Sequence, residues 1–475
     1  MRQLNTDKPS SRDYLVLAVI TLIAGLVRFI GLTRDSLWTD ETFSGYASQF
    51  ATLGDLINYI KIDVHPPGYF ASLWGMSQLF GNSDFTLRAF SAIGGVLLVP
   101  VAFRLGRQLY DSTTGLIAAF FTALLIQGIY YSQEVRAYIW LALFSALSVS
   151  LLIDFMRSRH AGKANFGVLV LFVLTCAANA YFHYFGLMFS GLMILGWLIH
   201  DAKAKQPVWH SLVAGFSVVA SFSPWMPVLL GSTNKSTWIP KPTPKYVAEI
   251  ANILYGPGFM LTGFALLVLA IGAFRLKQSG KLVLGSREKW LIAWILVPLL
   301  VSVAISLVQK PIYTPRNMLI AFVAGSIFLA RAITGLSEKK QIQWGAAIGV
   351  IVVMFGLHVV KGDGYLLRPV KQDVRAAARY VVDHNKENLP VVTLGWDHDN
   401  FAYYFYGTPQ TANLLKVDET KVKEGGLPSV VTTDRFWIAS AGINIDETTD
   451  LKRDFTIEET GGFKDARAYL LKRKP

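Results

Sequence analysis

Apolar runs of roughly 17–22 residues recur along the first three-quarters of this 475-residue chain, each long enough to cross a hydrocarbon core of about 30 Å as a helix. They fall near 14–32, 86–105, 114–131, 137–156, 166–182, 184–200, 209–230, 258–275, 290–309, 316–334 and 342–360. With 52% hydrophobic and only 16% charged residues, the composition is that of an integral membrane protein. The expected fold class is therefore a multi-spanning α-helical membrane protein of about eleven transmembrane helices. The first run is too long for a signal-peptide core and no small-residue cleavage site follows it, so it reads as a retained span. Cys176, the single cysteine, lies within a run and excludes an intrachain disulfide.

The formal charge of +13 does not indicate nucleic acid. From Gly362 onward 16 Lys/Arg stand against 17 Asp/Glu, so the excess lies in the membrane part. There it alternates from loop to loop: Arg104/Arg107, Arg157/Arg159/Lys163, Lys203/Lys205, the Arg275–Lys289 group and Lys339/Lys340 all fall on one side. The positive-inside rule makes that side cytoplasmic. Residues 66–80 are apolar but too few for a full span, and read as an interfacial or re-entrant helix. Counting them as a span would invert every later loop. The first external loop then runs over 33–85 and holds six of the fifteen acidic residues before Gly362.

This topology gathers polar residues on the outer face. They are Asp40, Glu41, Asp63 and His65 from the first loop; Glu134, Arg136 and Tyr138; His183; Lys235, Trp238 and Lys241 from the 231–257 loop; and Tyr313 and Arg316. Ionisable groups at span ends are costly unless they pair or bind something. Both signs, two histidines and several aromatics on one face point to a shared polar cavity.

The ordered motifs resemble those of the GT-C membrane glycosyltransferases, in particular the dolichyl-phosphate-mannose protein mannosyltransferase superfamily and the aminoarabinose transferases. The likeness covers most of 14–360. It rests on Trp38-Thr39-Asp40-Glu41, Asp63-Val64-His65-Pro66-Pro67-Gly68-Tyr69-Phe70, Phe85-Thr86-Leu87-Arg88-Ala89-Phe90, Glu134-Val135-Arg136-Ala137-Tyr138 and Tyr313-Thr314-Pro315-Arg316-Asn317. Asp-Glu or His-Pro-Pro alone would be weak; the ordered set on one face is specific. The resemblance implies a GT-C fold and transfer of a sugar from a polyprenyl-phosphate donor to a lipid, glycan or protein acceptor, with inversion at the anomeric carbon.

The chemistry that such a transfer needs can be assigned by residue type. An acceptor hydroxyl requires a general base, for which Asp40 is the candidate with Glu41 beside it. The departing phosphate requires cations, for which Arg136, Arg316 and Lys235 are candidates, since guanidinium offers a bidentate fork. Asp63, His65, Glu134, Tyr138, His183 and Tyr313 are candidate substrate-binding residues. A double displacement through Glu41 or Glu134 stays formally open. Each has a plainer reading. Asp40 and Glu41 can cap a helix starting near Thr42, Pro66-Pro67 can mark a helix start, Arg136 and Arg316 can anchor at the membrane surface, and His183 can be structural. Asp40, Glu41, His65 and His183 could ligate a divalent metal, but no compact spacing requires one, and no cofactor is assigned.

The 231–257 loop reads either as a connector or as a lid over the carrier lipid. Residues 1–361 thus form the expected catalytic membrane domain. Residues 362–475 alternate apolar runs with a helical pattern over Val374–Val382, as in a small soluble α/β domain, expected outside the cytoplasm. Within it, Trp396–Tyr404 reads as a strand-to-helix turn with core aromatics or as an acceptor-recognition cluster. The expected location is a bacterial plasma (inner) membrane, with the active site extracytoplasmic. Two rivals share parts of the pattern. A lipid-linked sugar flippase should place polar groups at the midplane of paired repeats, and no second Asp-Glu or His-Pro-Pro element is found. An oligosaccharide ligase differs only in donor size, which these residues do not encode.

Overall fold

The computed structural model describes residues 8–61, 63–232, 239–280, 285–361, 365, 367, 369–395, 397–417, 427–429, 431–441 and 453–475. Its helices, in chain order, are α1 Ser11–Phe29, α2 Thr39–Ala47, α3 Leu53–Ile60, α4 Gly68–Phe80, α5 Asp84–Leu109, α6 Ser112–Leu124, α7 Ile126–Ser132, α8 Tyr138–His160, α9 Phe166–Phe182 and α10 Tyr184–Lys203. There follow α11 Trp209–Phe222, α12 Met226–Ser232, α13 Pro244–Ala248, α14 Ile250–Tyr255, α15 Phe259–Gln278, α16 Ser286–Val308, α17 Phe322–Thr334, α18 Lys340–Lys361, α19 Val374–His384 and α20 Asp397–Phe405.

Among the described residues, eight helical stretches are long and apolar enough to span a bilayer. The α6–α7 pair, bent by 56°, makes a ninth. The first and fifth expected spans are occupied by α1, of 19 residues, and α9, of 17. Each of the eleven runs thus corresponds to helix, and the protein is a multi-pass membrane protein. The segment 66–80 forms α4, whose 13 residues are too few to cross a bilayer.

The chain divides into two compact units. The first comprises Met1–Ile30, Ile57–Ser72 and Ala89–Gly364; the second comprises Gly31–Leu56, Leu73–Arg88 and Tyr365–Pro475. The C-terminal segment therefore packs with two pieces of the first loop.

In the first unit the bend between α6 and α7 has a specific support. Breaking the helix at Leu125 strands carbonyls at the end of α6, a large cost in lipid. Arg28 of α1, fully buried, supplies the donors: its guanidinium reaches Ala123 O at 2.7 Å and Thr122 O at 2.9 Å, and Nε donates to Ser132 Oγ at 3.1 Å. Gln133 returns the favour to α1, donating to Arg28 O at 3.0 Å and Ile30 O at 3.1 Å. Gly95 of α5 makes room for this junction. A Cβ there would lie 2.0 Å from Ser132 Oγ and 2.7 Å from Arg28 Nε.

In the second unit a five-stranded sheet forms from β1 Val391–Leu394, β2 Leu414–Val417, β3 Arg435–Ala441, β4 Phe455–Phe463 and β5 Ala466–Arg473. The order is β2-β1-β3-β5-β4. β1 runs parallel to β2 and β3, while β5 is antiparallel to β3 and β4. Apolar residues of α19 and α20, including Val374, Val381 and Phe401, cover one face with Trp437. The Val374–Val382 pattern is thus a helix on a sheet.

Candidate functional site

The candidate residues fall into two groups, one in each unit. In the second unit, α2 begins at Thr39, three residues earlier than a helix start near Thr42, so Asp40 and Glu41 occupy its first turn. Glu41 does act as a cap: its carboxylate accepts the Trp38 N–H at 3.4 Å. Its main partners are cations. Arg88 donates through Nε to Oε1 at 3.0 Å and through Nη2 to Oε2 at 2.7 Å, and Lys371 Nζ donates to Oε2 at 3.0 Å. Glu41 is fully buried. Both oxygens are engaged, which is the geometry of an anchor rather than of a base or nucleophile. Asp40, next to it, is partly exposed.

Arg88 extends the anchor by donating to the carbonyls of Leu32, Asp35 and Ser36 at 2.7–2.9 Å. Asp35 in turn accepts the backbone N–H groups of Val370 and Lys371 at 2.7 and 2.8 Å. The Trp396–Tyr404 cluster docks on the same loop. Tyr403 and Tyr404 donate their hydroxyls to Asp84 at 3.0 Å each, Asn400 donates to Thr39 at 3.2 Å, and the Tyr404 hydroxyl oxygen accepts the Leu37 N–H at 2.7 Å. Asp397 accepts from Ser440 Oγ and Ala441 N. These contacts are structural; Trp396 lies outside the described residues. Reading by sequence held Arg88 in a motif without a role for it and missed Lys371 and Asp84. One signal was available: an arginine in the first turn of an apolar span needs an acidic partner.

In the first unit, His-Pro-Pro-Gly leads into α4, and Gly68 is required by close approach. A Cβ there would sit 2.7 Å from Tyr181 O. That approach keeps His65 near His183, their rings 5.0 Å apart and edge to face. His65 Nδ1 lies 3.1 Å from Asp63 Oδ2 and 3.2 Å from Arg136 Nη2. Nε2 lies 3.5 Å from the same Nη2, so the guanidinium faces the edge of the imidazole. His183 Nδ1 accepts the Phe185 N–H at 3.1 Å, which assigns its proton to Nε2. Among the described residues that buried Nε2–H has no hydrogen-bond partner. Tyr138 packs on His183 at 5.7 Å, and the Arg316 guanidinium lies 5.3 Å over the Tyr138 ring, a cation–π distance. Asp63, His65, Arg136, Tyr138, His183 and Arg316 are therefore brought together.

Glu134 is buried just beyond α7. Tyr313 is fully buried, and its hydroxyl donates to Val247 O at 3.2 Å and Tyr246 O at 3.4 Å. It fastens α13, so part of the 231–257 loop is helical rather than a plain connector. Lys235 and Trp238 lie outside the described residues; Lys241 is exposed. Among the described residues no group of three or more His, Cys, Asp or Glu is placed to hold a metal ion.

Burial, then the positive field of Arg136, holds His65 below its ordinary value of 6.5. His183 is held well below it by burial and by His65, Arg136 and Arg316. Burial alone would raise Asp63, but His65 and Arg136 outweigh it and hold the carboxyl below 3.8. The sign for stability follows. As pH falls through 6.5 the unfolded chain takes up protons that folded His65 and His183 refuse, so stability is lost on acidification, by up to about 1.4 kcal/mol per pH unit for each ring. Asp63 contributes above 3.8 and does not act in this window. The apparent unfolding temperature in detergent should fall between pH 7.5 and 5.5, and His183→Asn should flatten that fall. A profile unchanged by the substitution would contradict these assignments.

The fold is that of the GT-C membrane glycosyltransferases. Residues 64–227 match the family model of dolichyl-phosphate-mannose-protein mannosyltransferase. ArnT from Cupriavidus metallidurans in the apo state superposes with a TM-score of 0.67 at 11% identity, covering 97% of this chain and 98% of ArnT. ArnT bound to undecaprenyl phosphate gives 0.63 at 11% identity over the same shares. The archaeal oligosaccharyltransferase AglB from Archaeoglobus fulgidus, in complex with an inhibitory peptide and a dolichol-phosphate, gives 0.51 at 12% identity, covering 83% of this chain and 63% of AglB. No curated protein matches the chain by sequence.

Proposed function

We propose that this protein is a glycosyltransferase that moves a sugar from a polyprenyl-phosphate donor to an acceptor hydroxyl on a lipid, glycan or protein. The observation that carries the reading is the first-unit cluster. The fields of Arg136 and Arg316 both act on His65 and on His183, and His183 adds a buried N–H donor. Preorganised cationic donors in a dry setting stabilise the charge that builds on a departing phosphate. ArnT bound to undecaprenyl phosphate and AglB with a dolichol-phosphate share the fold and support a lipid-phosphate donor.

In this reading Arg136 and Arg316 hold the donor phosphate, aided by Lys235 from the 231–257 lid. Asp63 holds the His65 ring against Arg136, which fixes the guanidinium. Tyr138 supports Arg316 from below, and Glu134 and Tyr313 shape the surrounding walls. Asp40 takes the proton of the acceptor hydroxyl as it attacks the anomeric carbon, and one displacement inverts that centre. Glu41 holds Asp40's turn in place. The chemistry takes place on the extracytoplasmic face of a plasma (inner) membrane, where residues 362–475 also reside, because the basic loops are expected on the opposite side.

Binding of undecaprenyl phosphate to the purified protein tests the phosphate assignment. Hydrogen bonds to charged groups are worth about 1.5–3 kcal/mol each, so Arg136→Ala and Arg316→Ala should each weaken binding by roughly ten- to a hundredfold. Unphosphorylated undecaprenol should bind both variants and the parent alike. Equal loss for the alcohol and the phosphate would show that these arginines do not read phosphate.

A further inference from the structure

The geometry points to a second lipid site, for an anionic phospholipid, at the opposite end of the helical bundle from the Arg136–Arg316 cluster. A cavity of about 840 Å³ opens among the C-terminal half of α8, α10 from Phe189 to Ile199, the end of α5 and α16 as far as Pro298. Leu152, Phe189, Met193 and Trp294 belong to its apolar wall. Its size lies in the range of about 300–1,000 Å³ typical of built ligand sites, and a wall of this composition suits an acyl chain.

One end of the cavity is charged. The guanidinium groups of Arg287 and Arg331 lie 5.9 and 5.1 Å from the Tyr110 ring. The one acidic residue among the lining groups, Glu288, accepts the Tyr110 hydroxyl at 3.0 Å. Among the described residues the buried Nε of Arg287 has no hydrogen-bond partner. Two arginines flanking the mouth of an apolar cavity fit a phosphodiester with its chain inside, since guanidinium binds phosphate oxygens as a fork. Basic pockets between transmembrane helices take anionic head groups in the same way.

Distance separates this head group from the proposed donor phosphate. Helix α8 starts at Tyr138, under Arg316, and lines the cavity from Val149 to Met156; Arg157, next in the chain, donates to Gln108 O, two residues before Tyr110 at the charged end. The 18 steps from Tyr138 to Met156, level with that charged end, span about 27 Å at 1.5 Å each, close to a full hydrocarbon thickness. One phosphate cannot serve both ends, so the occupant is a lipid of the leaflet that borders the basic loops. The site is independent of the proposed transfer activity.

Full-length protein equilibrated in mixed micelles holding equal phosphatidylglycerol and phosphatidylcholine, then analysed for retained lipid by native mass spectrometry, tests this. The parent should retain phosphatidylglycerol over phosphatidylcholine by about tenfold or more. Arg287→Gln combined with Arg331→Gln should bring the ratio near one, whereas Lys203→Gln, on the same face but outside the cavity, should leave it unchanged. Met193→Trp, which fills the cavity and keeps both arginines, should reduce retention of phosphatidylglycerol and guards against a double variant that fails to fold. Equal retention of the two lipids by the parent, or a preference that survives the double substitution, would overturn the proposal. So would labelling of the cavity wall by a photoactivatable undecaprenyl phosphate that phosphatidylglycerol does not displace.

Discussion

Asp40→Asn is expected to lower turnover by about 10²–10⁴-fold while leaving donor affinity within a few-fold of the parent. General-base assistance contributes in that range. The amide keeps the side chain's size but loses its charge and its ability to take a proton, so folded fraction is measured beside turnover. The substitution separates the two carboxylates of the motif. Glu41→Gln removes a charge that Arg88 and Lys371 both contact, so its first effect should be on folding, with activity lost in proportion to the folded fraction. Steady-state kinetics on detergent-purified protein, with folded fraction measured alongside, reads both. A turnover for Asp40→Asn within tenfold of the parent would remove Asp40 from the role of base.

Arg88→Ala should be the most destabilising single change in the second unit, costing about 3–5 kcal/mol. Glu41 would be left in a dry site without its bidentate cationic partner, and removing one member of a buried ion pair has that order of cost. Three carbonyls, of Leu32, Asp35 and Ser36, would lose their donor as well. Lys371→Ala should cost clearly less, because the bidentate Arg88 contact remains. The order can be read from apparent unfolding temperature and from proteolysis of the 31–56 segment, which should open first in Arg88→Ala. Equal and small effects for the two variants would mean that the Glu41 anchor does not hold the loop.

The membrane architecture was legible because a span is written as a long apolar run, and such runs need no knowledge of their partners. The one-sided placement of basic loops carried the topology, and the His-Pro-Pro, Glu-Val-Arg and Pro-Arg-Asn motifs fell to one face by that rule alone. The structure gathers His65, Arg136, Tyr138, His183 and Arg316 in one cluster. What stayed hidden depends on contacts far apart in sequence. Lys371 meets Glu41 across 330 positions, and nothing local marks it. The α6–α7 bend was hidden for another reason: Leu124-Leu125-Ile126 carries neither Gly nor Pro, and the break is stabilised from outside by Arg28. A lone arginine in a span ordinarily suggests function; here it satisfies carbonyls. The partners of Tyr313, expected on the outer face, were hidden in the same way: its hydroxyl donates to Tyr246 O and Val247 O, some 66 positions away.

The central claim is that a glycosyl–phosphate bond is broken on this protein. Purified protein in liposomes, supplied with an undecaprenyl monophosphate donor whose sugar carries an isotope and with membrane extract as acceptor source, measures it directly. The account predicts that label passes to a new acceptor with release of an equal amount of undecaprenyl phosphate, and that Asp40→Asn abolishes both. Donor that crosses the bilayer with its sugar still attached, at a rate unaffected by Asp40→Asn, would contradict it.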